Sequence, residues 1–157
     1  MKTTSILKST FALSLALCAS SFADGKQVAS AKINEELKLQ EQRGHELEDI
    51  AKWDEAAVKS LREHASNTRK HAQDMKAKAK EFNDAAATLP DGDAGKKELQ
   101  GYAKELDVYA AHDEDFAKQR DKLAADLQSQ AKAAHDGAHN HFETVKKMKA
   151  SLDKLSH

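Results

Sequence analysis

Cysteine, proline and aromatic residues are all scarce in this chain of 157 residues. A single cysteine, Cys18, excludes an intramolecular disulfide framework and a zinc site built from paired cysteines. One proline, Pro90, and an aromatic content of 5% are too little for a loop-rich fold or for a β-sandwich or barrel. Alanine, glutamate, lysine, aspartate, glutamine and leucine dominate instead, which is typical of long helices.

The first 23 residues have the pattern of a secretory signal peptide. Lys2 and Lys8 precede an apolar run over residues 11–19, and a small-x-small pattern then ends at Ala23. The run is too short to span a bilayer, and no later segment could stop transfer. We therefore expect cleavage after Ala23 and a periplasmic or secreted protein of bacterial type. The alternative is a lipoprotein anchored through Cys18, although the residue before it is bulky for a lipidation signal.

Cleavage would leave a single domain, residues 24–157, without cysteine. The removed segment has two lysines and no acidic residue, so 25 basic residues become 23 against 26 acidic ones, and the net charge moves from −1 to −3. A nearly balanced charge argues against binding to nucleic acid, which needs a basic surface. The mature chain has no long apolar run, so we expect no transmembrane segment in it.

Between residues 28 and 89 the apolar residues follow a heptad repeat with alternating steps of three and four. Thirteen of the seventeen positions are apolar, which predicts a helix over about 28–89 with a narrow seam of coiled-coil type. The positions are Ile33, Leu37, Gln40, Gly44, Leu47, Ala51, Asp54, Val58, Leu61, Ala65, Thr68, Ala72, Met75, Ala79, Phe82, Ala86 and Leu89.

A second helix is predicted over about 97–155, after a turn at 90–95 in which Asp91 or Asp93 caps it. We assign its repeat to Leu99, Tyr102, Leu106, Tyr109, Asp113, Phe116, Arg120, Leu123 and Leu127. The stripe then shifts to Ala131, Ala134, Ala138, Phe142, Val145 and Leu152, which indicates a four-residue stutter.

These elements predict an all-α fold, a long antiparallel helical hairpin about 90 Å in length. Its seam is rich in alanine, so each layer buries little apolar area. We therefore expect the hairpin to bind a protein partner or to dimerise into a four-helix arrangement, unless it folds back into a shorter bundle.

The position of the turn predicts which residues lie level with each other. If the hairpin folds about residue 92 or 93, residue i faces roughly residue 185 minus i, within about a helical turn. Gly44 and Gly137 then lie at nearly the same height on opposite helices. We consider two interpretations: a hinge at which the arms bend or fray, or a site of close helix contact.

Histidines gather near the same height, at the open end of the hairpin. His135 and His139 are four residues apart on one helical face, a spacing that can hold a divalent metal ion. His45 is expected level with them, and His141 is a further candidate whose direction is unsettled. These ligands would suit zinc, copper or nickel. The alternative is that the histidines are ordinary residues of a polar helix face, because this spacing alone is weakly specific.

Trp53 is the single tryptophan, and it either covers the edge of the seam or anchors a partner. The chain has no phosphate-binding glycine loop, nucleophile elbow or HExxH motif, so we expect no enzyme. The sequence favours an exported protein that acts through protein–protein contacts in a structural, adaptor or chaperone-like role. A periplasmic protein that binds divalent metal through the histidine cluster is the alternative.

Overall fold

The protein folds into two long helices that pack against each other as an antiparallel hairpin. The structure is a computed structural model that describes the backbone of residues 22–156 and the side chains of residues 25 and 27–154. Helix α1 spans Phe22–Ala87 and helix α2 spans Ala94–Ser156, and the described residues contain no strand. The predicted all-α hairpin is therefore confirmed. The predicted signal segment, with Cys18, lies almost entirely outside the described residues.

The turn between the helices is closed by its own backbone and side chains. The Asp93 amide donates a hydrogen bond to the Pro90 carbonyl over 3.2 Å. Gly92 has a φ of 92°, a left-handed conformation that glycine adopts without steric cost. The Asp93 carboxylate accepts a hydrogen bond from the Gly95 amide at 2.7 Å and so caps α2. Of the two predicted capping residues, Asp93 is the one that caps.

The seam of α1 follows the predicted repeat at every position from Ile33 to Leu89. Every seventh residue is buried, and the residues between them in the repeat are half-buried. The buried residues are Leu37, Gly44, Ala51, Val58, Ala65, Ala72, Ala79 and Ala86.

The predicted seam of α2 is partly wrong. Its buried residues are Ala103, Ala110, Ala117, Ala124, Ala131, Ala134, Ala138 and Val145, and Leu99, Leu106, Asp113, Arg120 and Leu127 are half-buried. Tyr102, Tyr109, Phe116 and Leu123 each precede a buried alanine by one residue and are about half exposed. With the alanines in place, the repeat continues beyond Leu127 without the predicted stutter.

The small size of alanine explains why alanine, and not the aromatic residues, occupies the seam of α2. Opposing rows of alanine let the two helix backbones approach closely, and a tyrosine or phenylalanine at the same positions would hold them apart. The larger side chains are therefore displaced by one position, to the flank of the seam. Among the described side chains, only Leu37, Val58 and Val145 are buried and larger than alanine.

The energetic consequence is a weak seam. Burying one methyl group contributes about 0.8 kcal/mol, whereas fully burying a leucine or phenylalanine contributes about 1.5–3 kcal/mol. No large side chain is fully buried in the described part of the chain.

Neither described helix contains a segment with the length and apolarity needed to cross a bilayer.

Candidate interaction surface

One side of the hairpin carries an exposed apolar patch. On α2, Tyr102, Tyr109, Phe116 and Leu123 recur every seven residues and are 54, 58, 54 and 50% exposed. On α1, Leu61, Met75 and Phe82 are half-buried on the same side of the seam. We call these seven residues the apolar patch. The rings of Phe82 and Tyr102 lie 6.2 Å apart between centroids, which joins the two helices at the end nearest the turn.

The apolar patch has a defined length. The contacts of Phe82 with Tyr102 and of His71 with Asp113 show which residues are level on this side. In this register Leu61 lies level with Leu123, so the patch covers the same 21-residue interval on both helices, about 31 Å.

A polar notch interrupts the patch at its middle. His71 Nδ1 lies 2.6 Å from an Asp113 carboxylate oxygen, and Arg120 donates a hydrogen bond to the Thr68 hydroxyl at 2.6 Å. Together with Asn67 and Phe116, these four side chains line an open groove of about 400 Å³. The notch is where Asp113 and Arg120 replace apolar residues in the half-buried positions of α2.

The opposite side of the hairpin is polar, and its groups pair across the two helices. Each partner follows a buried position by four residues and so lies on the flank away from the apolar patch. The pairs are Glu41–Lys149, Glu55–His135, Arg62–Gln128, Arg69–Asp121 and Lys76–Glu114. We call this surface the polar face. These polar groups therefore find their hydrogen-bond or salt-bridge partners within the chain.

The groups whose pKa values depart from the ordinary range are explained by exposed ion pairs. The hydrogen bond and charge of Lys76 hold the pKa of Glu114 below its usual value, and Lys146 does the same for Glu143. Asp49 and Asp84 raise the pKa values of Lys52 and Lys80, and Asp115 raises that of Lys118. These shifts are typical of salt bridges on a helix surface rather than of a catalytic acid or base.

The two glycines at the open end are close-contact sites. Gly44 lies in the buried row of α1, and a Cβ atom there would lie 2.7 Å from Cε1 of Phe142. A Cβ atom at Gly137 would lie 3.0 Å from the Leu47 side chain. Both helices run unbroken through these positions. The contacts support the close-contact interpretation, and the hinge stays a prediction.

The candidate metal ligands His135, His45 and His141 each have a different partner in the structure. His135 Nε2 lies 3.1 Å from Glu55 on the polar face, and His45 packs its ring on Phe142 at 5.2 Å between centroids. His141 points to the apolar side and bonds to Gln40. The described residues contain no group of three or more histidine, aspartate or glutamate side chains arranged to hold a metal ion. The predicted convergence of His135, His139, His45 and His141 is therefore not found. His135 lies level with Glu55, ten residues or about 15 Å along α1 from His45, and His141 lies on the opposite flank.

Trp53 is 79% exposed, so it does not cover the edge of the seam. It lies on the same flank of α1 as Ile50, which is 51% exposed. Its role as an anchor for a partner stays a prediction.

The sequence contained one signal that identifies the exposed patch. Alanines at 103, 110, 117 and 124 repeat every seven residues, directly beside the aromatic stripe. Both frames fit the first half of α2, but only the alanine frame continues to Ala131 and Ala138 without a stutter. Continuity of the repeat therefore distinguishes the seam from the exposed stripe.

No model of a known protein family matches the chain, and neither curated proteins nor solved structures show a significant match to it. The function of this protein is therefore inferred from its own surfaces.

Proposed function

We propose that the protein is exported to the bacterial periplasm, is not an enzyme, and acts through protein–protein contacts in a structural, adaptor or chaperone-like role. The observation that carries this proposal is the contrast between the two sides of the hairpin. The polar face pairs its groups internally, whereas the apolar patch leaves Tyr102, Tyr109, Phe116 and Leu123 at least half exposed.

The free energy of burying apolar surface favours a partner that covers the apolar patch. An aromatic side chain that buries its remaining area, on the order of 100 Å², gains about 2.5 kcal/mol. Each alanine of the seam contributes less than half of that. A partner that covers the apolar patch would therefore add more stabilisation per aromatic residue than each alanine of the seam contributes.

The inventory of buried groups supports a non-enzymatic role. The described residues include no buried polar or charged side chain. Catalytic acids and bases usually have pKa values shifted by burial together with a charged neighbour. Here the resolved shifts belong to exposed groups in salt bridges.

A site-specific photo-crosslinker tests the proposed contact in exporting cells. At position 116, within the apolar patch, we expect adducts with protein, either the same chain or another. At position 108 we expect none, because Val108 is a comparably exposed apolar residue of α2 on the outer side. Adducts at neither position, or equally at both, would contradict the proposal.

The exported form is tested by the mass of the purified protein. Cleavage after Ala23 predicts a chain that begins at Asp24. A mass that includes a lipid on Cys18 would show the lipoprotein form, and a chain that retains Met1 would contradict export through this segment.

Metal binding stays an alternative proposal, in which His135 and His139 hold zinc, copper or nickel. No observed geometry favours it over the contact function. Its decisive readout is a rise in melting temperature on addition of stoichiometric metal.

A further inference from the structure

We propose that the apolar patch binds the apolar patch of a second copy of this chain, with the two hairpins antiparallel and related by a two-fold axis at the polar notch. This inference rests on the proposed contact function and specifies its partner. It is drawn from the positions of the patch residues on both helices.

The first observation is the symmetry of the stripe on α2. Its four residues are centred between positions 112 and 113. A two-fold axis at that level brings Tyr109 opposite Phe116 of the second copy, and Tyr102 opposite Leu123. The side chains that are exposed in one hairpin thus face side chains that are exposed in the other.

The second observation concerns α1. The register given by the Phe82–Tyr102 and His71–Asp113 contacts places the level of the same axis between residues 71 and 72. Within the interval of the stripe, the half-buried residues Leu61, Thr68, Met75 and Phe82 lie symmetrically about that level. The axis brings Leu61 opposite Phe82 of the second copy, and both helices therefore share one centre.

The third observation is the chemistry around the centre. The axis brings Arg120 to the level of Glu105 of the second copy, so residues of opposite charge lie at one height of the dimer. The His71–Asp113 pairs of the two copies meet at the axis itself, where each carboxylate already has its own histidine partner. A shift by one heptad would leave only three of the four stripe positions facing a stripe residue, so the register centred between positions 112 and 113 covers the most apolar area.

The available area fits this arrangement. The four stripe residues are each at least half exposed, which leaves on the order of 100 Å² per aromatic side chain to be covered. Two copies thus supply roughly 800 Å² from the stripes. The α1 residues of the patch and the rim must supply the rest of the roughly 1,200–2,000 Å² of a stable interface. An isologous two-fold dimer is also the commonest assembly of soluble proteins.

Spin-label distances test the arrangement in the exported protein, whose predicted mature chain contains no cysteine. A single label on His112→Cys lies near the axis, so the two labels of a dimer should be roughly 10–25 Å apart, given a helix spacing of about 10 Å. A label on Asp126→Cys should be about 40 Å from its equivalent along the rod. Both native side chains are exposed.

The outcomes separate this inference from the proposed function. Equal distances at both positions would show a parallel pairing and overturn the inference. A dimer with a long distance at 112, or a monomer that crosslinks another protein through position 116, would overturn it while the contact function stands. A monomer without any adduct would overturn both.

A substitution gives the matched control. Tyr109→Ser/Phe116→Ser should abolish the dipolar signal of the label at 112 while helix content, measured by circular dichroism, is retained. Val108→Ser, which removes an exposed apolar side chain off the patch, should leave the signal unchanged. The label distances are measured with the patch intact, so they decide the arrangement even if the double variant does not fold.

Discussion

The polar face and the apolar patch flank the same seam of this hairpin. They differ in how much of their surface is paired or covered within one chain. On the polar face, long charged and amide side chains cross the seam, as Arg69 does to Asp121 and Arg62 to Gln128. On the apolar patch, Tyr109 and Phe116 lie beside the seam and keep more than half of their surface in contact with solvent. The polar face therefore pairs its groups within one copy, whereas the apolar patch leaves apolar surface exposed.

The comparison also shows what an alanine seam does. It brings the helices together with little buried area, and it moves the large apolar residues outward to one flank. A hairpin with leucine in those rows would bury its apolar area between its own helices. Here the area is displayed at the surface, where another molecule can cover it.

The largest effect is expected from breaking the seam that both sides share. Ala117 is fully buried, and Ala117→Leu should lower the free energy of unfolding by about 1–3 kcal/mol, because the added carbons hold the helices apart. Ala111→Leu is the control, since Ala111 is exposed on the same helix. Urea unfolding followed by circular dichroism measures both, and equal effects would contradict the close-packed alanine seam.

The next effect concerns Phe142, the aromatic residue that packs from the polar flank against Gly44. Gly44→Ala should gain about 1 kcal/mol of helix propensity. In the wild-type chain, the contact of its methyl group with the ring should offset that gain. In a Phe142→Ala background the gain should appear in full, as a higher free energy of unfolding.

Gly101 provides the control for that cycle, because a Cβ atom there meets no other atom within 4 Å. Gly101→Ala should give the same gain in both backgrounds. An effect of Gly44→Ala that does not depend on Phe142 would favour the hinge over the close contact.

A smaller effect is expected from the ion pairs of the polar face. Lys76 lowers the pKa of Glu114 in the folded protein. The pair therefore stabilises the fold at pH values above the ordinary pKa of glutamate, about 4.3. That contribution is lost as the pH falls through the lowered pKa.

Urea unfolding midpoints measured between pH 7 and pH 2 test the direction of this pH dependence. Glu114→Gln should be slightly less stable than the wild type at neutral pH and should lose less stability on acidification. The two chains should converge at the lowest pH. A constant difference over the whole range would show that the pair does not carry the pH dependence.

The smallest effect is expected from divalent metal. Because His135 pairs with Glu55 and His45 packs on Phe142, stoichiometric zinc, copper or nickel should leave the melting temperature unchanged. The wild type and His135→Ala/His139→Ala should behave alike. A rise of several degrees that the double variant abolishes would establish the metal function instead.

Much of this architecture is readable from the sequence, and α1 shows why. Its repeat has a single consistent frame, so each buried residue from Leu37 to Ala86 is predicted, and Pro90 and Gly92 mark the turn. The pairing of Phe82 with Tyr102 follows from the position of that turn.

The seam of α2 is harder to predict because two heptad frames run one residue apart. Hydrophobicity favours the frame of Tyr109 and Phe116, whereas packing selects the frame of Ala110 and Ala117. The size of the facing residues decides between them, and α1 presents alanine there. The rule from the turn gives heights only within about a helical turn, so His135 and His45 were expected together, whereas His135 pairs with Glu55 and His45 packs on Phe142.

Sedimentation equilibrium of residues 24–157 over a range of concentrations tests the central claim most directly, namely that another molecule covers the apolar patch. We predict a mass of two chains, with a melting temperature that rises with protein concentration because association stabilises the fold. A folded chain with the mass of a monomer at every concentration, and a melting temperature independent of concentration, would contradict self-association through the patch.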